Sequence, residues 1–101
     1  MVLSVQQIKF EMFGYIKEFD ADFGAWYVGI ASDPKRQMES AHGVDLTEDI
    51  WLYKQAQSFT ACRTIQSYFV RQLKTDGELV ETGDGDTDCI YLYKKSSRTT
   101  P

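Results

Sequence analysis

Apolar positions recur along this chain with a period that changes from segment to segment. Val5, Ile8, Met12 and Ile16 fall three or four residues apart behind Ser4-Val5-Gln6-Gln7, which has the form of a capping box. That spacing predicts an amphipathic helix over about 4–18. Ile8, Phe10 and Met12 also alternate, which leaves a strand reading of the same segment open. Beyond the polar turn Asp20-Ala21-Asp22-Phe23-Gly24, the run Ala25–Ala31 is dense in aromatic and β-branched residues and reads as a strand over 25–31. Asp33 and Pro34 then suit an N-cap and a first helical position, and Gly43 suits a C-terminal stop, so a short helix is expected over 34–42.

A second strand is expected at about 50–55, with Ile50 and Leu52 on one face and Trp51 and Tyr53 on the other. Ser58 is placed to cap a longer helix over 58–74, with Ala61, Ile65, Tyr68, Phe69 and Leu73 as its buried stripe. Asp76-Gly77 and the Gly/Asp-rich stretch Thr82–Asp88 must be loop. Cys89–Lys94 alternates well enough for a third strand, over about 88–94, and residues 96–101 read as a disordered tail. Three helices and a small, mainly antiparallel three-stranded sheet predict one compact α+β domain over 1–95.

Composition narrows the classes. With 101 residues, 43% of them hydrophobic, the chain has material for one core and no room for a second domain. Ala25–Ala31 is far shorter than the roughly 20 apolar residues of a membrane helix. The N-terminus shows no apolar signal core, so a soluble cytoplasmic protein is expected. Cys62 and Cys89 lack a CxxC spacing, and His42 is the only histidine, which is too few of the ligands zinc prefers. A formal charge of −4 opposes a broad electrostatic grip on phosphate backbones.

Tyr27-Val28-Gly29, then Asp33-Pro34-Lys35-Arg36 and His42, followed by Trp51-Leu52-Tyr53 and Ala61-Cys62-Arg63-Thr64-Ile65-Gln66, resemble the GIY-YIG endonuclease superfamily over about residues 25–74. The resemblance implies that a tyrosine pair and an arginine surround a scissile phosphate while a glutamate on the long helix holds a divalent metal. Carried over, it assigns catalytic positions to Tyr27, Arg36 and Tyr91, and binding positions to Gly29, Lys35, His42 and Gln66. An arginine clamps phosphate bidentately, and a carboxylate oxygen suits Mg²⁺.

The chain departs from the family pattern in three ways. Gln66 stands at the glutamate position, and a neutral amide brings no charge to offset removal of water from Mg²⁺. The sequence contains no asparagine, although the family pattern often ends in one. The Gly-Ile-Tyr strand that normally precedes Tyr-Ile-Gly is replaced by a helical pattern, and Cys89-Ile90-Tyr91 has the matching shape at the far end. A circular permutation is therefore expected to set Tyr91 beside Tyr27 by antiparallel pairing.

The leading expectation is a GIY-YIG-like binding module for nucleic acid or protein, without metal-dependent nuclease activity and without a cofactor. One alternative is a divergent Mg²⁺-dependent phosphodiesterase that uses Tyr27, Tyr91 and Arg36, with a carboxylate such as Glu39 at the metal. The other is a protein-interaction domain with exposed aromatics near Trp51 and Tyr53. Arg36 itself is read either as a phosphate contact or as a solvated residue paired with Glu39. His42, beside Gly43, is expected to cap carbonyls or face solvent, and Cys62 to be a small buried side chain. Asp84-Gly85-Asp86-Thr87-Asp88 resembles the start of a calcium loop, but Cys89 and Lys95 occupy the positions that need Gly and Glu, so a solvated turn is expected. Arg63, Arg71, Lys74, Lys94 and Lys95 are read either as a basic edge or as scattered surface charge.

Overall fold

The computed structural model describes residues 2–101. In chain order it contains α1 (Val5–Phe19), a short 3₁₀ turn (Phe23–Ala25), β1 (Trp26–Ala31), α2 (Pro34–His42), β2 (Trp51–Gln55), α3 (Phe59–Ser67) and β3 (Cys89–Lys94). The local signals act as their chemistry requires. Ser4, Asp33 and Ser58 each accept a bond from a first-turn amide, of Gln7, Arg36 and Ala61 respectively. Gly43 closes α2 in the left-handed region at φ 67°, with its amide bonded to Met38 O.

The strands form one antiparallel sheet in the order β1-β3-β2, with the C-terminal strand in the centre. Alternation along β1 and β3 divides their side chains between two cores. Trp26, Val28, Ile30, Ile90 and Leu92 face α1 and α3, where they meet Ile8, Met12, Ile16, Ile65 and Phe69. Tyr27, Ala31, Tyr91 and Tyr93 face the other way and pack with Met38, Val44 and Trp51. Every residue of β1 is buried because helices cover both faces. Past the helical region, Asp76 exchanges backbone bonds with β1, accepting from Val28 N (3.0 Å) and donating to Trp26 O (2.8 Å). The chain around Thr75–Gly77 thereby blunts the open edge of the sheet.

The helix predicted over 58–74 stays α-helical only to Ser67 and continues as a π-helical turn over Tyr68–Gln72. The consecutive bulky residues Tyr68, Phe69 and Val70 crowd an ordinary turn, and the wider one keeps Phe69 fully buried with Tyr68 edge-on to it at 5.4 Å. Lys74, at φ 67°, then ends the segment in a left-handed conformation unusual for a residue with a Cβ. Residues 96–101, read from composition as a tail, make defined polar contacts. Thr100 N donates to His42 O (2.7 Å), and Arg98 forms ion pairs with Asp45 and Asp49. The polar composition of the tail hides these partners, which lie in the loop and helix of a distant part of the chain. No helix among the described residues is long and apolar enough to cross a membrane.

Candidate functional site

The site grows from one register pair. Gly29 of β1 lies directly opposite Tyr91 of β3, and the Tyr91 ring covers the space where a Gly29 side chain would stand. Without a Cβ at position 29, the Tyr91 ring lies flat over the strand. Tyr27 and Tyr93 form the neighbouring pair in the same register, and their rings stack at 5.3 Å and 23°. Tyr27 and Tyr91 lie 6.3 Å apart at 21°. His42, on the last turn of α2, sits above all three, 4.6 Å from Tyr27, 5.6 Å from Tyr91 and 5.2 Å from Tyr93.

His42 neither caps a helix end through its side chain nor faces solvent, as the sequence led one to expect; it is 6% exposed. Its Nδ1 lies 2.8 Å from Thr100 O, and its Nε2 lies 2.7 Å from Tyr91 Oη. A carbonyl only accepts, which assigns the proton of a neutral imidazole to Nδ1 and leaves Nε2 to accept from the Tyr91 hydroxyl. Tail, helix and central strand are thus joined in one polar chain, and Tyr93 Oη adds a longer bond to Thr100 O at 3.3 Å.

Burial pushes the Tyr91 and Tyr93 hydroxyls well above the usual phenol range, and the neighbouring Tyr27 adds to the effect. Tyr27 is raised for the same first reason, against a smaller opposing effect of a hydrogen bond to the Glu78 backbone. The three phenols are held protonated at neutral pH, as hydrogen-bond donors rather than bases. Replacing Tyr91 with Phe is expected to cost about 1–2 kcal/mol, because His42 Nε2 loses its buried partner. Urea denaturation of the two proteins measures the loss; an unchanged midpoint would show that the bond contributes nothing to the fold.

A cleft of about 460 Å³ opens beside this cluster, between Tyr27, Gly29, Gln37, His42, Tyr91 and the extended segment Glu78–Glu81. Arg36 does not line it. Its exposed side chain lines an adjoining cleft, with Gln37 and Ile30 shared between the two. Arg36 has no ion pair with Glu39 among the described residues. Lys35 points elsewhere, its Nζ 5.8 Å from the Trp51 ring.

Gln66 is 1% exposed and fully engaged. Its amide nitrogen donates to Val28 O and Glu78 O, both at 3.0 Å, and its amide oxygen accepts from Val80 N at 3.3 Å. The side chain fastens the 78–81 segment to α3 and β1, and it contributes no atom to the Tyr27–Tyr91 cleft. Among the described residues, no three His, Cys, Asp or Glu side chains converge as metal ligands.

Cys62 and Cys89 are both free and buried, and burial raises their thiols to about 12 and about 11. At those values they are unreactive packing groups at neutral pH. Tyr93, Gln37 and Thr100 escaped the sequence reading. The alternation Tyr91-x-Tyr93 was the one available signal for the first of them. Comparison of the chain with protein-family models, with curated proteins and with solved structures gives no match.

Proposed function

We propose that this chain is a circularly permuted GIY-YIG-like domain that contacts the phosphodiester backbone of a nucleic acid without metal-dependent cleavage. The observation that carries the reading is the antiparallel β1–β3 pairing, which sets Tyr27 and Tyr91 side by side under α2. Two adjoining clefts lie beside this pair, one lined by the Tyr27 phenol, the Tyr91 proton being already donated to His42 Nε2, and the other by the exposed Arg36, which has no ion pair among the described residues. Phenol and guanidinium donors suit phosphate oxygens. The absence of cleavage is supported by Gln66, a neutral and buried amide whose three bonds hold the 78–81 segment in place of a metal. Glu39, the alternative carboxylate, is exposed and belongs to no group of three His, Cys, Asp or Glu side chains among the described residues.

A protein-interaction role draws on a different surface. Trp51 is half-buried with its indole N–H bonded to Leu46 O, so the aromatics expected near it reduce to Tyr53. Three exposed phenylalanines lie instead on α1, Phe10 at 75%, Phe13 at 38% and Phe19 at 48% exposure.

Incubation with labelled single- and double-stranded DNA, with Mg²⁺ or Mn²⁺, tests the proposal. Binding at low salt with no cleavage is expected, with Arg36→Ala weakening it by about tenfold, the effect of one charge-assisted contact. Cleavage that Arg36→Ala abolishes would replace the proposal with the phosphodiesterase reading. No binding at low salt would leave the α1 surface and a protein partner.

A further inference from the structure

All fifteen acidic residues lie outside residues 50–75, a stretch that holds Lys54, Arg63, Arg71 and Lys74. This is a sharp local reversal of sign in a chain of charge −4. On α3 and its π-helical extension, Thr60, Arg63, Thr64, Ser67 and Arg71 fall at i, i+3, i+4, i+7 and i+11, so they share one face. The opposite face carries the buried Cys62, Ile65 and Phe69. The polar face is not simply solvated. It forms one wall of a cleft of about 360 Å³, whose other wall is Leu79–Glu81. Two guanidinium groups share this cleft with a single carboxylate.

That carboxylate is weakly committed. Glu81 meets Arg63 at 3.3 Å, with side-chain exposures of 76% and 49%, a surface pair that contributes little. Arg71 has no ion pair among the described residues. Ser67 stands one turn from each arginine and offers a hydroxyl donor. The wall facing them is firm, because Gln66 ties Glu78 and Val80 to the helix from below.

We propose that the cleft between α3 and residues 79–81 is a phosphate-binding site in which Arg63 and Arg71 clamp the anion, Ser67 donates to it, and Glu81 is displaced. Planar guanidinium groups converging on one cleft match tetrahedral oxyanions better than they match isolated carboxylates. The phosphate is either free or part of a nucleic-acid backbone. The second source rests on the phosphodiester reading above, whereas the site itself stands on its own residues.

Amide chemical shifts of the full chain, followed by NMR at low salt, provide the test, with inorganic phosphate and a short oligothymidylate as separate probes. Perturbation of the Arg63, Ser67, Arg71 and Val80 amides is expected. Arg71→Ala should weaken binding about tenfold, and Glu81→Gln should tighten it several-fold by removing the competing carboxylate. Comparable affinity for both probes assigns the site to isolated phosphate. At least tenfold tighter oligothymidylate binding assigns it to a backbone, and Arg71→Ala then lowers the salt slope by about 0.7 per lost contact.

No shift at these amides with either probe overturns the inference. So does oligothymidylate binding that depends on Arg36 but not on Arg71, a result that leaves the proposed function standing. Tighter binding by Glu81→Gln cannot arise from a variant that has failed to fold, so this arm is independent of any stability loss in Arg71→Ala.

Discussion

Replacing Gln66 with Glu is expected to destabilise the protein by about 3–5 kcal/mol at neutral pH, the cost of an uncompensated buried charge. The substitution points a carboxylate at Val28 O and Glu78 O, two acceptors that now receive the amide hydrogens. Only a protonated carboxyl donates there, and it supplies one hydrogen where the amide supplied two. Burial against carbonyl oxygens raises the folded-state pKa of the introduced group above the roughly 4.3 of an unfolded chain. Below about pH 4 both states hold the proton, and the variant should lie within about 1–2 kcal/mol of the native protein. The loss then grows as pH rises from there and levels off above the folded-state pKa. Denaturant midpoints at pH 4 and pH 7 measure this directly. Undiminished stability at pH 7 together with new Mg²⁺ affinity would return position 66 to a metal-holding role and overturn the structural one.

Gly29→Ala is expected to cost about 3 kcal/mol, at the upper end of ordinary overpacking. The new methyl would stand within the Tyr91 ring, overlapping Cζ, Oη and Cε2. Neither side can yield cheaply. Gly29 is held in a strand buried on both faces, and Tyr91 is fixed through its hydroxyl to His42. The damage should therefore extend to the polar chain that ends at Thr100, with the His42 ring resonances shifting in NMR spectra. Pairing the change with Tyr91→Leu, which removes the ring, separates the clash from the loss of backbone freedom. The two substitutions together should cost less than their sum. Additive losses would show that Gly29 is required by the strand rather than by the tyrosine.

The same residues show how far the sequence could be read. Ser4, Asp33, Pro34, Gly43 and Ser58 marked helix ends correctly, because a cap is satisfied by an amide two or three residues away. The aromatic and β-branched run Ala25–Ala31 and the alternation at Cys89–Lys94 identified both strands of the pair that carries the candidate site. The π-helical turn was not legible, since its residues still follow a helical stripe. Arg36 was expected to share a site with Tyr27 and Tyr91. One step along α2 puts it in the adjoining cleft, and helix rotation at that resolution depends on packing rather than on pattern.

By itself, then, the sequence determined the three helices, the three strands and the α+β class, because period and capping act within a few residues. Only the tertiary structure decided what the polar residues do. His42 bonds across 58 residues to Thr100 and across 49 to Tyr91, and Gln66 reaches across 38 to Val28. A buried donor or acceptor must find a partner wherever the fold supplies one, and that demand leaves no local pattern in the chain.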